Sequence, residues 1–257
     1  MRKILIIIGL LLLCVTLVYG QQISLSKYAP CLLGETVESD VLLSMNDMGV
    51  EFGYMLYEAD IACETPDPLL EVENIRDYAT VYWDGNFVGE LDDAHKSLLI
   101  EAAEGMHKLQ IYVENKGRIT YGPEILDNSK GLFGRATLDG TDIEVWRITP
   151  IVLWNGLSDG ALTFQNAPGG VRKPGYWRGE FDKATLAGAG YVDMAGWGMG
   201  EVWINGQYAG SYWEKSGLRT VEIPQQALKD NGPNCIVVFE LKVPQATVRF
   251  AKEQMFR

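Results

Sequence analysis

The feature of this sequence that most constrains its fold is an internal repeat built around two tight hairpin signals. Residues 81–89 (VYWDGNFVG) match residues 202–210 (VWINGQYAG) at a constant offset of 121 (202 − 81). Asp-Gly and Asn-Gly between apolar stretches are strong signals of a two-residue β-hairpin, because both central residues must adopt positive φ. A second match, of residues 105–112 with residues 232–239, follows at an offset of 127 (232 − 105). The repeat predicts two copies of one plan, a hairpin followed by a long strand.

The hydrophobic pattern favours strands over helices through most of the chain. In residues 108–114, apolar and polar side chains alternate, so that Leu109, Ile111 and Val113 share one face. Stretches with helical periodicity are few and short. The sequence therefore predicts an all-β protein of two tandem β-sandwiches, each of about 100 residues, as is usual for such folds.

The predicted domains are a first β-sandwich over residues 51–150 and a second over residues 151–257. Residues 21–50 are less regular, and we interpret them as an N-terminal arm or linker, or as a strand lent to either domain. Residues 1–20 read as a signal peptide, with Arg2 and Lys3 before an apolar run and small residues up to Gly20. We therefore expect a secreted or periplasmic protein.

The net charge of −12 bears on possible partners. Nucleic acid and anionic membrane surfaces both require basic patches, so neither is an expected partner of the mature chain.

Three cysteines follow the signal peptide, and Cys31 with Cys63 is the predicted disulfide, because Cys235 lies in a strand-like apolar run. No Cys-x-x-Cys or Cys/His cluster occurs, and we expect neither a metal nor a cofactor.

Several segments taken in order resemble the glycoside hydrolase family 35 β-galactosidases. The match is densest in the second half, in residues 174–181 (PGYWRGEF), 193–206 (DMAGWGMGEVWING), 210–213 (GSYW) and 234–241 (NCIVVFEL). In the first half, residues 53–57 (GYMLY) and 113–122 (VENKGRITYG) are similar, although Thr120 stands where the family usually has Asn. The resemblance implies two jelly-roll, galactose-binding-like β-sandwiches.

In that family the two jelly rolls follow a catalytic (β/α)₈ barrel, which needs about 250 residues. Here a 20-residue leader precedes the matching region. The resemblance therefore implies the C-terminal part of such an enzyme without its barrel, and no catalytic residue is assigned. Asp193 and Glu201 flank the Trp197 segment and are the most plausible acidic side chains for chemistry, but turn capping and solvated strand edges explain them as well.

Aromatic side chains supply the candidate sugar-binding residues. Sugars stack their C–H faces on flat rings, while amide side chains hydrogen-bond their hydroxyls. The carbohydrate-binding candidates, all in the second domain, are Trp177, Trp197, Trp203, Asn205, Tyr212 and Trp213. The alternative is that these rings fill the sandwich core and the seam between domains.

Arg118 and Tyr121 belong to a segment that faces the barrel in the family that the chain resembles. Surfaces that support a missing domain stay exposed. We interpret these two residues as candidates for a partner interface.

Three hypotheses follow for function. The first is a secreted, non-catalytic, β-galactosidase-like module that binds carbohydrate, of galactoside type, or a glycosidase catalytic domain. The second is one piece of a split or truncated family 35 β-galactosidase. The third is a structural remnant without a ligand.

Overall fold

The computed structural model describes residues 19–153, 162–167 and 173–257, so the predicted signal peptide lies almost wholly outside the described residues. Nearly all regular structure is β-strand, which confirms the all-β prediction. The strands, in chain order, are β1 (Tyr19–Ser24), β2 (Lys27–Pro30), β3 (Val37–Ser39), β4 (Gly53–Cys63), β5 (Leu69–Arg76), β6 (Tyr78–Trp83), β7 (Asn86–Asp92), β8 (Ser97–Leu99), β9 (Gly105–Asn115), β10 (Gly131–Leu138), β11 (Thr141–Asp142), β12 (Trp146–Ile151), β13 (Gln165–Asn166), β14 (Gly175–Phe181), β15 (Tyr191–Asp193), β16 (Met199–Ile204), β17 (Gln207–Trp213), β18 (Thr220–Glu222), β19 (Asn234–Glu240) and β20 (Thr247–Ala251).

Helical structure in the described ranges is limited to short 3₁₀ turns at Pro123–Leu126, Lys183–Leu186 and Gln225–Ala227. None of these turns has the length and apolar character that a membrane-spanning helix requires.

The described chain forms two compact units. Cys31–Leu153 make up the first domain, and the described residues on either side make up the second. The segment predicted as an arm is divided between them. Strands β1 and β2 belong to the second domain, while the chain from Cys31 onwards belongs to the first.

The first domain is a sandwich of two antiparallel sheets. One has six strands in the order β3-β12-β4-β9-β6-β7, and the other has four in the order β11-β10-β5-β8. Their inner faces share one apolar core. Tyr57 on β4 ties the sheets together, since its hydroxyl donates to the Leu43 carbonyl at 2.9 Å and accepts the Leu132 N–H from β10 at 3.2 Å.

The second domain repeats that plan with a six-stranded sheet, β13-β2-β14-β19-β16-β17, and a four-stranded sheet, β1-β20-β15-β18. Its core lies between the sheets and includes Phe181 from β14 and Phe250 from β20, whose ring centroids are 4.9 Å apart. The prediction of two sandwiches is therefore confirmed.

The internal repeat corresponds to a repeated set of hydrogen bonds. Asp84 and Asn205 both adopt positive φ at the tip of their hairpins. The Asp84 carboxylate accepts the Lys108 N–H at 2.8 Å, and the Asn205 side-chain oxygen accepts the Cys235 N–H at 2.8 Å. Lys108 and Cys235 lie 127 residues apart (235 − 108), which is the second offset of the sequence repeat. In each domain, the hairpin tip thus fixes the start of the long central strand.

The predicted disulfide between Cys31 and Cys63 is not formed in the structure, and all three described cysteines are free. Cys63 ends β4 in the core of the first domain, and its thiol donates to the Thr65 carbonyl at 2.9 Å. Cys31 follows β2, the strand that pairs with β14 of the second domain. The thiol of Cys63 is thus occupied within its own turn, which sequence spacing could not indicate.

Candidate functional site

Three of the predicted sugar-binding rings are buried in the core of the second domain. Trp177, Trp197 and Tyr212 belong to its apolar cluster, and only 1% of Trp197 is exposed. The indole N–H of Trp197 donates to the Thr247 carbonyl at 3.2 Å, and its ring meets Tyr212 edge-on at 6.4 Å between centroids. Because none of these rings offers a face to solvent, the prediction that they stack on a sugar is wrong.

Two of the other three predicted candidates, Trp203 and Asn205, are also committed to the fold. Trp203 lies on the face of its sheet opposite the core, buried between Tyr176 and Tyr208 at centroid distances of 6.2 and 5.9 Å. The Asn205 amide donates to the Ala227 carbonyl at 2.8 Å and the Asn234 side chain at 2.7 Å. Trp213 is half-buried at the end of β17. Trp203 and Asn205 therefore hold the hairpin and its surroundings together, whereas the role of Trp213 stays a prediction.

The glycine-rich segment around Trp197 is shaped by close packing. A Cβ atom on Gly200 would lie 1.8 Å from the Phe239 carbonyl oxygen, so β16 approaches β19 more closely than any side chain allows. Gly196 has a φ of 83°, which favours glycine. The segment most typical of the resembled family is thus a structural motif that turns Trp197 inward.

Glu240 at the end of β19 holds this segment in place. Its carboxyl oxygens accept the backbone N–H groups of Gly198 at 2.9 Å, Met199 at 3.1 Å, Lys242 at 2.7 Å and Val243 at 3.2 Å. The Tyr212 hydroxyl lies 3.1 Å from the same group. Glu240 is fully buried, and burial raises its pKa, with the four N–H donors acting in the opposite direction. Sequence analysis missed this residue because glutamate in a strand is usually solvated.

A polar cleft of about 510 Å³ lies on the outer side of the four-stranded sheet of the second domain. Cavities of roughly 300–1,000 Å³ are typical of small-molecule sites. The residues that give the cleft its polar character are Gln22, Asp193, Arg219, Gln245, Thr247 and Arg249.

Strand register brings three of these residues into one row. Gln22 on β1 pairs directly with Arg249 on β20, which pairs in turn with Asp193 on β15. Side chains directly opposite each other on neighbouring strands point to the same face. Because Ile23, Val192 and Phe250 point into the core, the row faces outward into the cleft.

An ion pair fixes the inner wall of the cleft. Arg219 Nε lies 2.8 Å from Asp193 Oδ1, and its terminal nitrogen lies 3.2 Å from Oδ2. The Asp193 carboxylate also accepts the Ala195 N–H at 3.1 Å. Gln245 donates to the Gly196 carbonyl at 2.8 Å and closes the rim. The cleft thus presents preorganised donors and acceptors of the kinds that bind sugar hydroxyls.

The predicted partner residues lie in an exposed loop of the first domain, residues 116–129. Arg118 is exposed, and Tyr121 and Leu126 are 92% and 96% exposed. Ile125 adds a further partly exposed apolar side chain. The structure brings the candidates Arg118 and Tyr121 into one solvent-facing segment, separate from the cleft of the second domain.

The described residues contain no group of three or more His, Cys, Asp and Glu side chains arranged to hold a metal ion. A second groove, in the first domain, is lined by acidic residues, and two of their carboxylates have partners in the fold. Asp139 accepts from Thr65 and Leu69, and Asp60 pairs with Arg147 at 2.9 Å.

Two family models match the chain. Residues 43–152 match "Beta-galactosidase, first all-beta domain", and residues 174–234 match "Beta-galactosidase, galactose-binding domain". The second match includes Asp193 and Arg219 of the polar cleft.

Curated relatives are longer than this chain. Beta-galactosidase-1-like protein 2 of Homo sapiens is 28% identical over 228 residues, which cover 86% of this chain and 35% of that protein. Beta-galactosidase of Felis catus is 31% identical, covering 74% and 32%, and that of Xanthomonas manihotis is 32% identical, covering 66% and 28%. The chain therefore spans about a third of the length of these relatives.

Among solved structures, a lectin from Pleurotus ostreatus in complex with GalNAc aligns over 93% of this chain and 83% of its own, with 13% identity and a TM-score of 0.28. A likeness this loose carries no argument about the site.

Proposed function

We propose, from the premise that this chain belongs to the β-galactosidase family, that it is a non-catalytic module that binds carbohydrate through the polar cleft of its second domain. The observation that carries the proposal is the position of the cleft. Its inner wall, Asp193 with Arg219, lies within the segment that matches the galactose-binding domain.

The chemistry of the cleft supports a sugar as its ligand. A pyranose has several adjacent hydroxyl groups, each able to donate and accept one hydrogen bond or more. The Arg219 guanidinium, with a quarter of its side chain exposed, donates, and the Gln245 amide both donates and accepts, while the nearly buried Asp193 carboxylate holds Arg219 in place. Because Asp193 and Arg219 orient each other before any ligand arrives, binding does not have to order them.

Family membership also supports a role outside catalysis. The two matched segments are an all-β domain and a galactose-binding domain. We therefore expect no hydrolysis of an aryl β-galactoside by this protein. The apolar leader supports export, and the N-terminal sequence of the mature protein, expected to begin at Gln21, tests that part of the proposal.

Replacing Gln245 with alanine should weaken the binding of a methyl β-galactoside about fivefold, because one hydrogen bond of about 1 kcal/mol is lost. Isothermal titration calorimetry or chemical-shift titration measures the change. Gln225→Ala is a matched control, since Gln225 lies in another groove of the same domain and also donates to a backbone carbonyl.

Two outcomes would count against the assignment. Saturable binding that weakens equally in Gln245→Ala and Gln225→Ala would place the site elsewhere. No saturable binding of any galactoside would remove carbohydrate binding as the function.

A second candidate function is docking to a separate glycosidase catalytic chain through the loop of residues 116–129. The observation that favours it is the exposure of Tyr121 and Leu126, at 92% and 96%. Large apolar side chains exposed together in one segment are typical of interaction sites. The matched relatives are β-galactosidases, and the proposed class of partner is taken from them.

For this candidate, the double change of Tyr121→Ala and Leu126→Ser should weaken binding of a β-galactosidase barrel chain at least about tenfold, as loss of a central apolar anchor does. Surface plasmon resonance gives the dissociation constants. Met106→Ser is the control, because Met106 is also exposed but lies on β9 outside the loop. Equal affinity of the double variant and the unchanged protein would exclude the loop as the docking site.

A further inference from the structure

We infer that the polar cleft selects anionic galactosides, sugars that carry a carboxylate or a sulfate, and that Arg249 is the residue that recognises the negative group. This inference rests on the proposed function, because it names the ligand class of the same cleft. It is carried by the charges that line the cleft and by the contacts of the two arginines.

The residues that line the cleft have a net positive charge, whereas the protein as a whole has a net negative charge. Its charged lining residues are Arg219, Arg249 and Asp193, two cations and one anion. The whole chain has a net charge of −12. An anionic ligand is repelled by most of this surface, and the two arginines make the cleft an exception.

The two arginines have different roles. Arg219 forms a two-point ion pair with Asp193, at 2.8 and 3.2 Å, so their charges compensate each other. The net positive charge of the cleft is therefore that of Arg249. In the part of the chain that the structure describes, the contact shown for the Arg249 guanidinium is the bond from its Nε to Gln22 Oε1 at 3.1 Å.

The bond to Gln22 orients Arg249 for a ligand. It uses Nε, so it does not involve the end-on pair of N–H groups on the two terminal nitrogens. Arg249 is exposed at the mouth of the cleft, between Gln22 and Asp193 in the same cross-strand row. Paired N–H donors of a guanidinium match the oxygen spacing of a carboxylate or sulfate group, a geometry that ammonium groups lack.

The test compares one sugar in charged and neutral form. Calorimetry at low ionic strength should give about tenfold tighter binding of methyl β-galacturonide than of its neutral methyl ester, because hydrogen bonds to charged groups are stronger than those to neutral groups. A comparison of the affinities for galactose 6-sulfate and galactose tests whether a sulfate is preferred in the same way. The preference should shrink in high salt, because the site is exposed.

Arg249→Gln should bring the ratio of charged to neutral affinity close to one, while Arg249→Lys should retain part of it. Arg178→Gln is the control, because Arg178 is a partly exposed arginine on the other sheet of this domain, and the ratio should stay at about ten. Neutral galactosides that bind as tightly as the charged ones, or a preference that survives Arg249→Gln, would overturn this inference and leave the proposed function standing. If no galactoside binds, both fail.

Discussion

Replacing Glu240 with alanine is expected to lower the free energy of unfolding by about 4 kcal/mol. Four backbone N–H groups and the Tyr212 hydroxyl lie within hydrogen-bond distance of this one carboxyl group. Alanine leaves the four buried backbone donors without this acceptor, whereas the Tyr212 hydroxyl keeps the Phe239 carbonyl at 2.9 Å. Each unsatisfied group costs about 1–3 kcal/mol before relaxation. Urea denaturation at pH 7 measures the loss.

Two further variants test whether the loss of stability comes from the hydrogen bonds of the Glu240 carboxyl group. Glu240→Gln keeps the volume and one acceptor oxygen but turns an N–H₂ towards backbone donors, so about half the effect is expected. Glu222→Gln on the exposed face of β18 should stay within about 0.5 kcal/mol of the unchanged protein. Amide hydrogen exchange at Gly198 and Met199 should become faster in the Glu240 variants. An alanine variant as stable as the parent protein would show that the carboxyl group does not hold the segment.

Replacing Trp197 with alanine should lower the free energy of unfolding by about 4 kcal/mol, as expected for removing a fully buried aromatic side chain. The ring packs against Tyr212, and its N–H donates to the Thr247 carbonyl, so both packing and a hydrogen bond are lost. Thermal unfolding followed by circular dichroism measures the change.

Trp197→Phe retains most of the apolar contact and should cost about half as much. Tyr121→Ala serves as the matched control, since that ring is 92% exposed and its removal should change stability by less than about 0.5 kcal/mol. A Trp197→Ala variant that keeps its stability would return this ring to the surface, where sequence analysis placed it as a sugar-stacking candidate.

The architecture could be predicted from the sequence because its determinants are local. Asp84-Gly85 and Asn205-Gly206 specify the hairpins through positive φ, and the alternation in β9 specifies which face is buried. The repeat at two offsets reflects one contact made twice, from the hairpin tip to the following strand. Both sandwiches follow from signals that span only a few residues.

The candidate site could not be predicted because its parts meet only in the folded chain. Gln22 and Arg249, 227 positions apart, become neighbours through pairing of β1 with β20. The sequence left the burial of Trp197 undecided for a related reason. Flanking glycines indicate a loop, but they do not indicate whether the ring of that loop points to solvent or to the core. In the structure the ring lies in the core, and Glu240 accepts the N–H of the following Gly198.

Strands β1 and β2 are separated in sequence from the rest of their domain, and this separation has a consequence for the order of folding. These strands are made first, yet their partners β20 and β14 are made only after the whole first domain. The first domain can complete its own sandwich before β1 and β2 find their partners, whereas the second domain needs both of the segments that flank the first. Until then, β14 and β20 each keep an unpaired edge, where another chain could add a strand. Gln22 enters its row beside Arg249 only when that closure occurs, so the complete cleft marks a fully folded second domain.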